Sequence, residues 1–349
     1  MQEDPQQADE HRAALGRLAL ILGGLVAIAA AACALYLPFL DNKLVFDDAT
    51  LFSTLKVFDF AQTPFNLSPR TFPYFTLGFV QVTWGGIEAN RLVSLALHLC
   101  NAFLIYRLAR LLVGRLDGVS ATRAAGLALL AAAIFALHPV AVYGAAYLVQ
   151  RTILFATLFS LLSVWFYLRG LARERYADAI TAALFYGLAV FSKQHAIMVP
   201  AAAVVFSPLV RPDWRQHWRR AAPYLALYLA LCAPSGIWVV LVTKGIVGTM
   251  YEIDADAIAA QMGPDMALGS PLERWFVSAV TQAGLFFEYL RLWFAPDVGR
   301  MSIDLRVDFA AAWTWPLIAL RIGAFLACLP ACLWLLRRRG RAALFGAGL

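Results

Sequence analysis

Phe46-Asp47-Asp48 sets two adjacent carboxylates directly after the first long apolar stretch of the chain. Neighbouring carboxylates at a membrane surface repel each other, so one is held partly protonated or a divalent cation neutralises the pair. Asp47 and Asp48 are therefore the catalytic candidates, able to supply a general base beside a lipid substrate, with Asp48 also a candidate metal ligand. The same residues equally read as a helix start, with Asp48 capping Ala49 to Thr54 and Asp47 solvated.

Cationic and polar residues that could meet an anionic substrate follow. Arg70 opens an apolar piece that ends at Gly85-Gly86, where a guanidinium near the headgroups can hold a phosphate through two bonds or simply anchor a helix. His98 and Asn101 share one helix face, either lining a cavity or bonding a neighbouring helix. His138-Pro139 must break a helix, and Gln150-Arg151 starts the next apolar run. Lys193-Gln194-His195 fills a tight turn where a cation runs against the positive-inside bias, which points to an anionic ligand. Arg321 interrupts the last apolar run about 6 Å from its outer end at ~1.5 Å rise per residue, close enough to snorkel to a headgroup or turn inward to a phosphate.

The elements that must position these residues are membrane spans. The chain has 349 residues, 61% of them apolar and 15% charged, which excludes a water-soluble fold. The apolar residues come in blocks of about 20, the length needed to cross a bilayer. The net charge of +7 is carried by short basic clusters between apolar runs, so it orients helices and does not signal nucleic-acid binding. Cys33, Cys100, Cys232, Cys328 and Cys332 all lie inside apolar runs and read as packing residues, with neither a disulfide framework nor a metal knuckle.

Apolar hydrophobicity from about residue 18 to Leu40 continues past the small-residue Ala32-Cys33-Ala34 site, so the first run reads as a retained helix and not a cleaved signal. Further runs lie at about 90–113, 123–138, 151–168, 177–192, 195–210, 221–243, 274–294 and 315–336. Arg107, Arg110, Arg115 and Arg123 form one basic connection, Arg169, Arg173 and Arg175 a second, and Arg211, Arg215, Arg219 and Arg220 a third. The positive-inside bias makes these loops cytoplasmic, leaving an external loop at about 40–89, a second at about 244–273, and the turns 139–150 and 192–195 on the other face. Arg337, Arg338, Arg339 and Arg341 place the C-terminus inside, so 274–294, with Gln282, Glu288 and Arg291, is expected to lie along the interface or re-enter. The expectation is one all-α polytopic domain over 1–349, a bundle of eight to nine spans with juxtamembrane helices in the first external loop.

Taken in order, Phe46-Asp47-Asp48, Arg70, Asn90 with His98 and Asn101, His138-Pro139 with Arg151, and Lys193-Gln194 resemble the transmembrane O-mannosyltransferases that bear tetratricopeptide repeats. The likeness runs over about 40–205 and again, weakly, from Tyr289 to Asp304. Those proteins belong to the GT-C class, which also includes protein O-mannosyltransferases and lipid A aminoarabinose transferases. The resemblance implies a GT-C-like bundle in a bacterial-type inner membrane. It further implies a polyprenyl-phosphate-linked sugar donor, an outward-facing site and transfer that inverts the anomeric centre onto a protein or glycan acceptor. By position, Asp47 would be the base and Asp48 its partner or the ligand of a divalent cation. Arg70, Arg151 and Lys193 would hold the leaving phosphate. His98, Asn101, His138, Gln194 and Arg321 complete the substrate-binding candidates. The chain departs from that pattern in two places. Gln194 stands where members usually carry Glu, and the repeats are absent, as in a bare catalytic module or a truncated sequence.

Two other classes fit a polar cavity among helices. A lipid-linked-sugar transporter would bring inverted repeats and broken helices in matching halves, and a membrane scaffold would need no acidic pair. Neither internal symmetry nor midplane polar residues are visible, since the polar candidates crowd one membrane face.

Overall fold

The computed structural model describes residues 5–62, 68–211, 218–242, 271–299, 301 and 314–338, with short pieces near the C-terminus. Nearly all of the loop expected at 244–273, together with Arg215, Asp304, Arg339 and Arg341, lies outside the described residues. Every regular element among them is helical. Two compact units divide the chain near residue 236, the second running to residue 338.

In the first unit, α1 (Pro5–Tyr36) starts on a proline, whose missing N–H costs nothing in the first turn. It ends at the 3-10 turn Leu37–Phe39, where Pro38 lacks the donor that would continue it. Three short helices follow, α2 (Phe46–Ser53), α3 (Lys56–Phe60) and α4 (Thr71–Thr83). They are the juxtamembrane elements expected in the first loop. Gly78 of α4 is required by its neighbour α3: a Cβ there would run into the Val57 carbonyl and the Ala61 nitrogen.

The long helix α5 (Gly86–Val113) and α6 (Ala121–Leu137) pack as antiparallel neighbours against α1. Ala128, Ala132 and Ala136 keep α6 close to Ala102 and Tyr106 of α5 and Ile28 of α1. Small residues are the usual means of close helix approach in a bilayer, where burial itself drives little. Ser120 caps α6 by accepting from the Arg123 N–H at 3.2 Å. At the other end His138-Pro139 bends the chain by 53° into Pro139–Ala145, the break the proline demands. That segment comprises a 3-10 turn and α7 (Val142–Ala145).

A further 3-10 turn, Leu148–Gln150, leads into α8 (Arg151–Arg173), which pairs extensively with α9 (Tyr176–Ser192). The turn Gln194–Met198 then opens α10 (Val199–Val210), and α11 (Trp218–Val242) runs across the division between the units. Gly170 of α8 lets α9 and α11 approach, since a Cβ there would meet the Asp178 side chain and the Tyr224 hydroxyl. The second unit holds α12 (Pro271–Phe294) and α13 (Trp315–Arg337), joined by apolar contacts of Val280 with Ile318.

Five described helices are long and apolar enough to span a bilayer, and the bent pair at His138 makes a sixth. Two further apolar helices, Tyr176–Ser192 and Gln194–Val210, are shorter than these, so the described residues give five to six spans of full length where the sequence suggested eight to nine. Helix α12 is not among them, and its Arg291 and Glu288 pair with each other at 2.6 Å, one turn apart. The chain is an all-α, multi-pass integral membrane protein.

Candidate active site

The first loop is fastened to the head of α8 by Asp48. Its Oδ2 accepts the Leu148 N–H at 2.7 Å and its Oδ1 the Val149 N–H at 2.8 Å, so one carboxylate satisfies two orphan donors of a helix start. Asp48 is only 2% exposed, and burial pushes its carboxyl up to about 6, against the two backbone donors and the Arg91 charge, which pull it down. Arg91 in turn donates to the Leu40 carbonyl at 2.6 Å and so ties the end of α1 to α5. Phe46, just before the pair, holds φ at 50°, a left-handed value that a bulky residue takes only when its surroundings impose it.

Adjacent residues on the first turn of a helix point about 100° apart. With Asp48 turned inward, Asp47 is left exposed at the rim. Its N–H donates to the Tyr147 hydroxyl at 3.1 Å, and its carboxylate lies beside the same oxygen. Tyr147 is buried, which pushes its hydroxyl up to about 12, so it stays protonated as a hydrogen-bonding post for Asp47.

The cationic wall comes from elsewhere in the chain. Arg70 holds φ at 69°, and its N–H donates to the Phe191 carbonyl at 2.6 Å, which docks the start of α4 on the end of α9. That bond sets its guanidinium beside the next turn, where Nε and Nη2 reach Gln194 Oε1 at 3.3 and 3.1 Å. Lys193, at the end of α9, donates to Gln150 Oε1 at 3.4 Å. Burial first and the Arg70 charge second lower its ammonium to about 8, with Asp47 pulling the other way. Arg70 and Asp47 thus both act electrostatically on Lys193 at one rim.

The other candidates have structural partners. Arg151 is fully buried, donating to Asn90 O at 2.5 Å, Asn90 Oδ1 at 2.9 Å and Ser94 Oγ at 3.2 Å, which locks α8 to α5. His98 Nε2 meets the Ala136 carbonyl at 3.0 Å. Asn101 donates to the Leu154 carbonyl at 3.0 Å, and its buried Oδ1 has no partner. His138 Nδ1 accepts from the Val140 N–H at 3.2 Å, capping the turn after the bend. Arg321 lies half-buried on α13 of the second unit. The candidate site therefore groups Asp47, Lys193, Arg70 and Gln194 with Asp48 behind them, and His98, Asn101, His138 and Arg151 each bond across the bundle or cap a turn.

Tyr147 and Arg91 escaped the reading of the residues alone. An aromatic between the Pro139 break and Gln150-Arg151 looks like an interfacial belt residue, and Arg91 like an ordinary start-of-span cation. As for a divalent cation, both Asp48 oxygens are already engaged by backbone N–H groups, so Asp47 is the carboxylate of the pair that faces outward. Among the described residues no group of three His, Cys, Asp or Glu side chains is placed to hold a metal.

The site lies at one end of the first unit. Asn90 and Ser94, near the start of α5, bond Arg151, whereas Arg110 is a further ~24 Å along the helix at about 1.5 Å per residue. Asp47 and Asp48 are thus at the end opposite the basic connection that follows α5.

The family model described as dolichyl-phosphate-mannose-protein mannosyltransferase matches residues 68–238, just under half of the chain. No curated protein and no solved structure gives a significant match. The matched stretch contains Arg70, Arg151, Lys193 and Gln194, while Asp47 and Asp48 precede it. Residues 68–238 are thus similar to a family of membrane glycosyltransferases.

Proposed function

We propose that the chain transfers a sugar from a polyprenyl-phosphate donor to an acceptor hydroxyl at the membrane face where Asp47 lies. In a bacterial-type inner membrane that face is the outer one, and the acceptor is a protein or a glycan. The acceptor oxygen attacks the anomeric carbon from the side opposite the phosphate, so the centre inverts. The bond from that carbon to the phosphate oxygen breaks, and its electron pair leaves with the polyprenyl phosphate. Asp47 takes the acceptor's proton as the new bond forms. Arg70 and Lys193 receive the charge that develops on the leaving phosphate, where preset cations lower the barrier most. Asp48 positions Asp47 through its hold on the head of α8.

One observation carries this reading: the exposed carboxylate of Asp47 shares a rim with two cations, one of them destabilised by burial and by its cationic neighbour. A desolvated ammonium beside a second cation gains most from an arriving phosphate. The family match adds the donor class, since the matched model describes enzymes that use a mannosyl group on dolichyl phosphate.

The test is transfer by the purified chain in liposomes, with labelled polyprenyl-phosphate hexoses and a membrane-protein extract as acceptor. The expected result is covalently attached hexose and free polyprenyl phosphate in equal amounts. A lipid-linked-sugar transporter would move donor between leaflets with no attachment, and a scaffold would do neither. Either outcome would overturn the proposal.

A further inference from the structure

At the end of the first unit opposite the candidate site, a cavity of about 460 Å³ opens between α5 and α8, lined by Arg107, Arg110 and Arg115 with Leu111, Gly114 and Trp165. Its volume lies in the ~300–1,000 Å³ range of small-ligand clefts. The positive-inside bias accounts for arginines at this end but not for a cavity with their guanidiniums around it.

Two of these arginines are positioned without being neutralised. The Arg107 guanidinium lies over the Trp165 ring at 4.9 Å from its centroid and over Phe103 at 6.0 Å, contacts that orient a cation and leave its N–H edge available. Arg110, one turn further on the same helix face, gives one N–H to the Tyr106 hydroxyl at 3.0 Å. Among the described residues neither forms an ion pair, whereas at the same end Arg169 pairs with Asp178 at 3.0 Å and Arg211 with Glu174.

A helix C-terminus disfavours an anion by about half a negative charge, so the site must overcome its own scaffold. It does so in two ways. The last carbonyls of α5 are taken by the chain itself, with the Gly114 N–H on Arg110 O at 3.1 Å, Arg115 N–H on Leu112 O at 3.0 Å and Leu116 N–H on Val113 O at 3.0 Å. The guanidiniums are therefore not consumed as caps. Arg107 and Arg110 alone then bring two full positive charges against that half charge, and Gly114 leaves the cavity floor without a side chain.

We infer that this cavity binds the phosphate headgroup of an anionic phospholipid, with Arg107 and Arg110 holding the phosphate and Trp165 seated at the level where the acyl chains begin. The indole suits that level because it is apolar in its body and polar at its N–H. The site is independent of the sugar-transfer reading and lies at the other end of the helices that carry it.

The test is lipid retention by the full chain after exchange from micelles containing phosphatidylglycerol and phosphatidylcholine, read as lipids per chain by native mass spectrometry. The expected result is selective retention of phosphatidylglycerol, lowered about 25-fold in Arg107→Gln/Arg110→Gln, since each cation beside the headgroup is worth roughly a fivefold factor. Arg173→Gln/Arg175→Gln removes the same charge from the same end but from outside the cavity lining, where solvent ions screen it, and is expected to stay within about twofold of the parent chain. Equal loss in both pairs, or no preference for phosphatidylglycerol, would overturn the proposal. Excess inorganic phosphate at matched ionic strength distinguishes the sources: displacement of the lipid by phosphate, but not by chloride, would mean a free-anion site and would also overturn it. Should the glutamine pair not stay monodisperse, Arg107→Lys/Arg110→Lys keeps the charge but loses the two-pronged grip, and no loss of retention there would count against the site.

Discussion

Arg151 and Lys193 are cations at the same end of the same unit, held in opposite ways. Arg151 is wholly enclosed, and its donors are spent on Asn90 and Ser94 at hydrogen-bond distance. Lys193 is half-buried at the rim, has one long bond to Gln150, and sits beside another cation. A charge enclosed by protein, with Nε and Nη2 both bonded to one neighbouring helix, offers little to a ligand, so Arg151 works as a rivet between α5 and α8. A charge that is desolvated but under-partnered is raised in energy until an anion arrives, and Lys193 is placed for that. Asp48 and Asp47 repeat the contrast among carboxylates, one engaged by two N–H groups and buried, the other exposed. At this end, then, burial with several bonds to neighbouring helices marks the fold, and sparse bonding at the rim marks the chemistry.

The contrast is broken most severely at Arg151. Arg151→Ala leaves a large void and several buried acceptors without donors, and is expected to cost roughly 3–5 kcal/mol. Thermal unfolding in detergent, read beside size-exclusion homogeneity, checks it, and a normal melting temperature would mean that the rivet carries little.

Next comes Lys193→Gln, expected to weaken donor binding by ~1.5–3 kcal/mol, the usual worth of a bond to a charged group, with unfolding unchanged. In the parent chain the ammonium loses its proton as pH rises through about 8, so donor affinity should fall above that pH. In Lys193→Gln this fall should be absent. A parent chain with flat donor affinity between pH 7 and about 9 would remove Lys193 from the phosphate site.

A smaller effect is expected at Asp48. Its carboxyl is raised in the folded protein to about 6 from an ordinary value of 3.8, so the folded state binds that proton more tightly than the unfolded one. The stability this contributes is complete below the unfolded value and is lost as pH rises through about 6. The difference in melting temperature between the parent chain and Asp48→Asn should therefore shift toward the parent on acidification through that window. A difference that does not vary with pH would show that Asp48 is not the titrating group.

The smallest change is Tyr147→Phe, which removes one hydrogen bond to Asp47 and should lower turnover by about fivefold, equivalent to ~1 kcal/mol. No effect on turnover would mean that the Asp48 clasp alone positions the base.

Much of the bundle is legible in the chain because bilayer spans follow from composition. The break at Pro139, the helices after Asp48 and the exclusion of residues 274–294 from the long apolar helices all rest on local signals. The site is legible only in part. Asp47, Arg70 and Lys193 stand out as charges at loop positions, but the bond from the Arg70 backbone to Phe191 spans more than a hundred residues and has no local signature. Residue type also cannot separate Arg151 from Arg70, since both are arginines at the start of a helix. What separates them is the pair Asn90 and Ser94, placed opposite Arg151 by the packing of α5 on α8. Asp48 shows the same limit: a cap and a base differ by one helical step, which only the position of Leu148 decides.

The most direct measurement is turnover and donor binding of Asp47→Asn, determined together in the full chain. A proton acceptor that does not hold the donor predicts turnover lower by ~10²–10⁴ with a donor dissociation constant within about twofold of the parent. Retained turnover would contradict the account, and so would a loss of donor affinity as large as the loss of turnover.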